Sequence, residues 1–294
     1  MRLSFSKRAI GRGVTLTLLS ALLFVPLFLT LYNWGKDFGF LDPRKAEPIA
    51  MQQRAVDTND VPKLFTEPLL SVTFDDGWGS VFTVAYPMLQ KYGIHTTQFV
   101  LSGQFKDQQY MSKAQVKAMQ STGHQIGCHT VDHADLTLPT LSKEEVNAEL
   151  RDCQSTLQEF LGPIKDFATP YSSYNSKVLA NVKQYYRSHR NTDGDPTNGI
   201  ADPDMNTPAN FDPYGLTSVT IHRDTTPEEI QRLIDYAIAH KSWLILTYHA
   251  VDEGPSEYGL GVERMERQLK VMSRSPIRIA TVGDVLDAYE AIHE

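Results

Sequence analysis

From residue 68 onward, short apolar runs alternate with stretches of helical spacing, and this alternation limits the fold more than any other feature of the sequence. Strands that alternate with helices favour a parallel sheet covered by helices. Seven or eight such units in one domain predict an α/β fold, a distorted (β/α)7-8 barrel, rather than an open sheet. The expected strands span residues 69–74, 96–101, 125–129, 165–169, 184–190, 216–222, 243–249 and 277–280.

Capping residues mark the start of three expected helices. Ser142 lies three residues before Glu145, which makes a capping box. Thr226 directly precedes Pro227, a residue that suits the first helical turn. Ser112 can cap a further helix by accepting a hydrogen bond from a backbone N–H of its first turn. The expected helices span residues 112–122, 142–161 and 227–240.

The N-terminal region differs from the rest of the chain in charge and hydropathy. Residues 1–13 carry four basic side chains and no acidic one, whereas residues 14–32 carry no charge. At a rise of about 1.5 Å per residue, a helix over this run approaches the ~30 Å thickness of the hydrocarbon core. These features, with Trp34 at the expected interface, predict a transmembrane signal anchor over residues 14–34. A cleaved signal peptide would need a shorter apolar region and a small-x-small site.

The basic residues ahead of the apolar run set the expected topology. By the positive-inside rule, residues 1–13 stay in the cytoplasm and the chain after the helix lies outside. Residues 35–67 mix proline with charged and polar residues without sustained periodicity, which indicates a linker. We therefore expect a single-pass protein of the cytoplasmic membrane, whose folded domain, residues 68–294, is extracytoplasmic.

Charge and cysteine content argue against nucleic-acid binding and against cysteine-based frameworks or cysteine-based zinc sites. The formal net charge of -7 and the lack of a long basic run after the N-terminus make nucleic acid an unexpected partner. The two cysteines, Cys128 and Cys153, are too few for a disulfide framework or a cysteine zinc site. We expect two buried thiols that pack as small apolar residues, although their pairing in an oxidising compartment stays open.

Ionisable side chains follow three of the expected strands. Asp75 and Asp76 come directly after the first strand, His129 ends the third, and His249 ends the seventh. Two acids before a glycine are usually a solvated turn, but the C-terminal ends of parallel barrel strands meet at one face, where active sites lie. His133 lies four residues after His129, and on a helical turn the two imidazoles would share one face.

This set of residue types predicts a metal site. Two imidazoles and one carboxylate, with an open coordination position, form a usual catalytic zinc site. One of the adjacent acids, Asp75 or Asp76, can bind the metal while the other acts as a base. The charge of the cation would offset the repulsion between the two carboxylates. We therefore expect a divalent metal, with zinc as the expected ion, at the C-terminal ends of the strands.

Two motifs carry a resemblance to a known family. The sequences Thr-Phe-Asp-Asp-Gly at 73–77 and His-Thr-Val-Asp-His at 129–133 resemble the first two motifs of the polysaccharide deacetylases. This family is the NodB-homology domain of carbohydrate esterase family 4. The resemblance covers nearly all of the chain after residue 68. It implies a barrel of the polysaccharide deacetylase type that hydrolyses N-acetyl groups on a sugar polymer with the help of a divalent metal, commonly zinc.

The resemblance also implies a role for each motif residue. The first acid of the pair is the catalytic base, the second acid and both histidines bind the metal, and the late histidine is the general acid. Carried over to this sequence, the base is Asp75, the general acid is His249, and the metal ligands are Asp76, His129 and His133.

The third and fourth family motifs are altered. The third usually reads Arg-x-Pro-Tyr-Gly, and here Ala168 replaces the arginine and Ser172 the glycine. Pro170 and Tyr171 remain as substrate-site residues, and the resemblance implies that the backbone N–H of Tyr171 helps to hold the oxyanion. The polar loop after the fifth strand contains no convincing match to the fourth motif, an Asp and Trp pair. Because the family's arginine orients the catalytic base, another residue is expected to contact Asp75.

Two further residues are assigned to the substrate site. Trp78, close to the acid pair, either stacks on a sugar or packs at the mouth of the barrel. Leu246 lies three residues before His249, whereas many family members have a leucine two residues before. Leu246 is therefore the candidate for the pocket that holds the acetyl methyl group.

The leading hypothesis is removal of N-acetyl groups from an extracytoplasmic amino-sugar polysaccharide, either an exopolysaccharide or a cell-wall glycan. An O-acetyl esterase that acts on a glycan through the same site is the alternative within the enzyme class. A catalytically silent glycan-binding or assembly protein is the alternative outside it, suggested by the altered third motif. The expected partners are the N-acetylated polysaccharide and, through the N-terminal helix, the membrane; the sequence identifies no protein partner.

Overall fold

The computed structural model describes residues 63–192, 205–252, 254 and 256–293, and these residues form one compact unit. The cytoplasmic segment 1–13, the expected transmembrane helix 14–34 and most of the linker 35–67 lie outside the described residues. Within the described residues, no helix combines the length and the apolar character needed to cross a bilayer.

Parallel strands form the centre of the described unit. The strands are β1 Leu69–Phe74, β2 Thr97–Val100, β3 Gln125–Cys128, β4 Asp166–Ala168, β5 Ser188–Arg190, β6 Val219–Thr220, β7 Trp243–Tyr248 and β8 Arg278–Ile279. Their order is β5-β4-β3-β2-β1-β7-β6, and β8 pairs with the start of β1. All residues of β1 are buried, as expected for a central parallel strand. The predicted α/β class with a parallel sheet is confirmed.

Helices separate most of the strands along the chain. They are α1 Tyr86–Tyr92, α2 Lys113–Ser121, α3 Lys143–Leu161, α4 Ser176–Val182, α5 Pro227–His240, α6 Val262–Arg274 and α7 Val282–His293. A π-helical turn, Val81–Ala85, leads into α1. Capping boxes are present at Ser112, Ser142 and Thr226, so the starts predicted for α2, α3 and α5 are confirmed.

The sheet curves into a half-barrel, whereas the number of units predicted a closed barrel. β5 and β6, at the two ends of the strand order, are only three and two residues long. Short backbone contacts link β5 to the segment before β6, where Leu216 N–H donates to the carbonyl of His189 at 3.1 Å. The strand predicted over 184–190 is too long because Gln184 N–H donates to the carbonyl of Asn181, which continues the turn after α4.

Alternating side chains of β1 divide between two layers. Leu70, Val72 and Phe74 pack in the hydrophobic core together with side chains of the covering helices. Thr73 faces the other side, where its Oγ1 lies 3.1 Å from Oγ1 of Thr247 on β7. The inner side of the half-barrel is therefore polar along the path that leads to the C-terminal edge of the sheet.

A disulfide joins Cys128, the last residue of β3, to Cys153 on α3. The expectation of two free thiols is therefore wrong, because a strand end and the helix that covers it bring the two buried side chains together. The bond spans 25 residues of sequence and lies directly before His129.

Replacing both cysteines, by Cys128→Ala with Cys153→Ala, should lower the free energy of unfolding by about 3 kcal/mol, because a crosslink over a loop of this length restricts the unfolded chain. Urea unfolding of the oxidised wild type and the double variant measures the difference. The matched control is the wild type in reductant, which should unfold close to the variant. Equal midpoints for oxidised and reduced wild type would contradict a disulfide in solution.

Candidate functional site

Side chains from three strand ends lie in one cavity of about 310 Å³. Asp75 and Asp76 follow β1, His129 follows β3, and His249 follows β7. His133, in the loop after β3, reaches the same cavity, so the structure brings these five sequence-predicted residues together. The remaining lining residues are Thr169, Tyr171, Ser172, Thr192, Thr220 and Tyr258.

Asp76, His129 and His133, which we call the ligand cluster, present ligand atoms to a common point. Oδ1 of Asp76 lies 3.4 Å from Nε2 of His129 and 3.2 Å from Nε2 of His133. This oxygen is buried, yet it accepts no hydrogen bond from any residue that the structure describes. Nδ1 of His129 donates to the carbonyl of Ala168 at 2.8 Å, so in the neutral ring it is Nε2 that carries the lone pair. A divalent cation fits this donor set, which is typical of zinc sites.

Burial and neighbouring charges together set the protonation of the ligand cluster. Burial alone would raise the pKa of Asp76, but the imidazoles of His129, His249 and His133 outweigh it and lower this pKa. Burial lowers the pKa of His133, and the charge of His129 lowers it further. Burial also opposes protonation of His129, but Asp75 and Asp76 raise its pKa. A cation must therefore displace a proton from His129, as is usual for histidine ligands.

The two histidines of the cluster lie on a loop, so the prediction of a helical turn between them is wrong. Residues 129–135 form no helix, and Thr130 adopts a left-handed conformation with φ 71°. The hydroxyl of Thr130 accepts from the backbone N–H of His133 at 3.0 Å. Glu149 on α3 accepts from the N–H of Val131 at 2.8 Å and fixes the loop to the helix. A turn held by these hydrogen bonds therefore brings the two imidazoles together.

Backbone strain is concentrated around the cavity. Seven non-glycine residues in the described part of the chain have positive φ, and five of them are cavity residues or belong to the loop of the ligand cluster. Each such conformation costs about 1–3 kcal/mol and persists only where the surrounding structure enforces it. The five residues are Asp76, Thr130, His133, Tyr171 and Ser172.

The other acid, Asp75, is held by an arginine from the edge of the sheet. Nη2 of Arg190, at the end of β5, lies 2.5 Å from Oδ1 and 2.6 Å from Oδ2 of Asp75. Both side chains are almost fully buried, and the guanidinium lies 5.0 Å from the ring centroid of Phe99. The prediction that another residue contacts Asp75 is therefore confirmed.

Sequence reasoning missed Arg190 because the family's arginine was sought at the position of Ala168. Ala168 ends β4, whereas Arg190 ends β5, the next strand in the sheet. The two positions are register partners on adjacent strands, so an arginine at either one has its Cα at the same height along the strands. An arginine at the C-terminal end of an expected strand was the signal that could have identified it.

Trp78 orients the carboxylate of the ligand cluster. Its Nε1 donates to Oδ2 of Asp76 at 2.8 Å, which leaves Oδ1 facing the two imidazoles. The indole also stacks on Tyr110, with ring centroids 4.7 Å apart. The sequence left two interpretations of Trp78 open, stacking on a sugar or packing at the mouth of the barrel. The structure shows the packing, and the hydrogen bond to Asp76 was part of neither interpretation.

His249 lies deep in the same cavity. Burial lowers its pKa, although the charges of Asp75 and Asp76 favour the protonated form. Its Nδ1 has no hydrogen-bond partner among the residues that the structure describes. The ring of Tyr258 lies beside it, with centroids 5.1 Å apart. The imidazole of His249 therefore lines the cavity, and its Nδ1 is buried without a hydrogen bond to any residue that the structure describes.

The residues assigned to substrate binding differ in their positions. Tyr171 is 65% exposed, and its ring centroid lies 4.4 Å from that of His133. Pro170 is buried and begins the 3-10 turn that carries Tyr171. Leu246 does not line the cavity: it is fully buried in the core and pairs with Val72. Side chains alternate along a strand, so Leu246 faces away from the side of His249, and its predicted place beside the acetyl group is wrong.

Comparisons with known proteins identify relatives of the chain. Residues 64–187 match the family model described as polysaccharide deacetylase. YxkH of Bacillus subtilis is 27% identical over 150 residues, 50% of this chain and 50% of that protein. A chitin deacetylase of Pestalotiopsis sp is 31% identical over 139 residues, 47% of this chain and 46% of that protein. The chain thus spans about half the length of these curated relatives.

Solved structures share the fold. The Xyl-CE4 domain of a multidomain xylanase from the hindgut metagenome of Trinervitermes trinervoides has a TM-score of 0.53 at 16% identity, covering 76% of this chain and 92% of that one. A mutant of the peptidoglycan deacetylase PdaC from Bacillus subtilis has a TM-score of 0.53 at 17% identity, covering 78% of this chain and 95% of that one. At these identities the likeness shows a common fold.

Removing one member of the Asp75–Arg190 pair should destabilise the protein more than removing both. Arg190→Met leaves a buried carboxylate without its partner and should cost about 3–5 kcal/mol of unfolding free energy. Adding Asp75→Asn removes that uncompensated charge, so the double variant should recover part of the loss. A double-mutant cycle from chemical unfolding measures the coupling. Additive effects of the two substitutions would contradict the buried pair.

Metal binding should depend on the ligand cluster and on the indole that orients it. His133→Ala removes a nitrogen ligand and should abolish stoichiometric zinc binding. Trp78→Phe keeps an aromatic ring against Tyr110 but loses the hydrogen bond to Asp76, and should weaken zinc binding roughly 10- to 100-fold. Competition with a chromophoric chelator measures both affinities. His95→Ala, at an exposed histidine outside the cavity, is the matched control. Full zinc occupancy in His133→Ala would refute the ligand assignment.

Proposed function

We propose that this protein removes N-acetyl groups from an N-acetylated polysaccharide, on the premise that the chain carries a polysaccharide deacetylase domain. That family was predicted from two motifs and is confirmed by the match over residues 64–187. One observation carries the proposal: a carboxylate held by an arginine, Asp75 with Arg190, lies in one cavity with the ligand cluster and His249. A base, a cation site and an acid thus surround one small space.

The names of relatives support an amino-sugar polymer as the substrate. One relative is a chitin deacetylase. Another, from Listeria monocytogenes, is a peptidoglycan-N-acetylglucosamine deacetylase. We take from them the class of substrate, a glycan that contains N-acetylated amino sugars, either an exopolysaccharide or a cell-wall polymer.

In the proposed reaction, Asp75 accepts the proton of the attacking water. Arg190 holds both carboxylate oxygens and fixes their direction, while each oxygen keeps a lone pair for the proton. Asp76, His129 and His133 would hold a divalent cation, with zinc as the expected ion. When bound, such a cation supplies positive charge that polarises the scissile carbonyl and lowers the pKa of water.

His249 is the proposed general acid. Cleavage of an amide releases an amine, which must receive a proton because an amine anion is a very poor leaving group. The imidazole of His249 lines the cavity, and we assign to it the donation of that proton. The backbone N–H of Tyr171, presented by a turn with φ 56°, is assigned to the developing oxyanion.

The extracytoplasmic location is part of the proposal. The disulfide between Cys128 and Cys153 supports it, because disulfides persist in oxidising compartments and are rare in the cytosol. The charged start and apolar run of residues 1–34 support a single-pass anchor in the cytoplasmic membrane with the N-terminus inside. The catalytic domain would then meet its glycan on the outer side of that membrane.

One observation favours an O-acetyl esterase as a second candidate. Burial lowers the pKa of His249, which reduces the protonated fraction near neutral pH. Hydrolysis of an ester depends less on protonation of the leaving group than hydrolysis of an amide does, because an alkoxide is a better leaving group than an amine anion. A catalytically silent glycan-binding protein has no such support, since Asp75, the ligand cluster and His249 are all present in the cavity.

Acetate release by the full chain distinguishes these functions. The substrates are chitin oligomers, peptidoglycan, poly-N-acetylglucosamine and acetylated xylan, each with and without chelator. We expect zinc-dependent release from at least one amide-linked substrate. Release only from the ester-linked xylan would favour the esterase, and glycan binding without any release would favour the silent protein.

Asp75→Asn and His249→Ala should each lower amide hydrolysis by roughly 10²- to 10⁴-fold, the usual contribution of one acid or base group. Neither residue belongs to the ligand cluster, so zinc content should stay near one ion per chain. His249→Ala should impair amide hydrolysis more than hydrolysis of an activated acetyl ester, which needs no protonation of its leaving group. Steady-state kinetics on both substrates provide the test, and equal losses would remove His249 from the role of general acid.

A further inference from the structure

A second exposed tyrosine lines the cavity, beside His249. Tyr258 lies in the loop between β7 and α6, and 38% of it is exposed. Its ring centroid is 5.1 Å from that of His249 and 5.3 Å from that of His222, which follows β6. Two imidazoles thus lie beside the ring, and the exposed part of Tyr258 is open to a bound molecule.

Backbone hydrogen bonds fix the position of this loop. Leu260 N–H donates to the carbonyl of Ala250 at 3.0 Å, directly after β7. Arg223 N–H donates to the carbonyl of Glu257 at 2.7 Å, just after β6. Both contacts flank Tyr258, so the backbone that carries the ring is held in place before any ligand arrives. A preorganised loop loses little conformational entropy on binding.

Tyr171 provides a corresponding surface on the other side of the central strand. It lies beside His133, in the segment after β4, whereas Tyr258 lies beside His249. β3 and β7 are on opposite sides of β1 in the sheet order. The two exposed tyrosines therefore border the same cavity beside different histidines, Tyr171 beside His133 and Tyr258 beside His249.

The size of the cavity limits what it can hold. Its volume of about 310 Å³ is at the lower end of the usual range for ligand pockets, roughly 300–1,000 Å³. One acetylated sugar residue fits such a space, and the next residues of a polymer must lie across its border. Tyrosine suits that position, because its ring offers a flat apolar face and its hydroxyl a polar end.

We propose that Tyr258 is a stacking platform for the sugar residue next to the one that is deacetylated, on the His249 side of the cavity. This inference rests on the proposed function. It implies that the protein selects a polymer of N-acetylated hexosamines over the free sugar, since only a chain reaches the platform and the cavity together. Tyr258 acts through substrate binding and takes no part in proton transfer.

Chain-length dependence tests the platform. Kinetics on N-acetylglucosamine oligomers from one to five residues would compare the wild type with Tyr258→Ala and Tyr258→Phe. For Tyr258→Ala we expect KM for the pentamer to rise about tenfold, which corresponds to about 1.4 kcal/mol, with a much smaller change in kcat. The preference of kcat/KM for pentamer over monomer should shrink accordingly. Tyr258→Phe keeps the ring and should retain most of the preference.

A loss that is equal for monomer and pentamer would overturn the platform and leave Tyr258 as a cover over His249. An unchanged preference in Tyr258→Ala would overturn it as well. Zinc content and thermal unfolding identify a variant that fails to fold, and Tyr258→Leu then replaces it. Calorimetric binding of the pentamer to the zinc-loaded Asp75→Asn chain, with and without Tyr258→Ala, gives a readout independent of turnover. If the wild type releases no acetate, the proposed reaction fails, while this binding comparison still decides on the platform.

Discussion

The buried ion pair between Asp75 and Arg190 is the interaction on which the rest of the site depends. Removing two charges from water costs several kcal/mol per ion, which close contacts must offset. Here one guanidinium nitrogen lies 2.5 and 2.6 Å from the two carboxylate oxygens. The pair connects β1, at the centre of the sheet, to β5, at its edge. A carboxylate held in this way is kept from the ligand cluster, so Asp76 supplies the carboxylate there.

Two adjacent acids thus acquire different surroundings from the same fold. Asp75 is directed into the half-barrel toward Arg190, while the left-handed backbone of Asp76 turns its side chain toward the imidazoles and Trp78. That strained conformation persists because the packed sheet beneath it enforces it. The disulfide at Cys128 secures the end of β3 directly before His129. Together these contacts separate a base from a ligand although the two residues are neighbours in sequence.

Much of this arrangement could be predicted from the sequence, because it depends on local patterns. β1 matches its apolar run at both ends, the three capping boxes are where Ser112, Ser142 and Thr226 indicated, and the ligand cluster follows from the strand ends. The prediction for Leu246 was wrong, although the two-residue period of a strand already placed it opposite His249.

Other features depend on contacts between distant segments and could not be predicted. The disulfide requires the distance between a strand end and a helix, which the spacing of two cysteines does not give. The loop between His129 and His133 has helical spacing, but its left-handed Thr130 is fixed by side-chain hydrogen bonds. The prediction of a closed barrel was wrong because β5 and β6 are shorter than the strands predicted over residues 184–190 and 216–222. Arg190 replaces the arginine absent at Ala168 from a neighbouring strand, which a motif search along the chain does not cover.

The central claim is that Asp75 serves as the base and Asp76 as the metal ligand, and one measurement tests it most directly. Crystals of the full chain grown with zinc would be measured at the zinc absorption edge, so that anomalous scattering locates the ion. We predict one strong peak coordinated by Asp76, His129 and His133, with Asp75 outside the coordination sphere and paired to Arg190. A zinc ion bound by Asp75, or an Arg190 side chain turned away from it, would contradict the account.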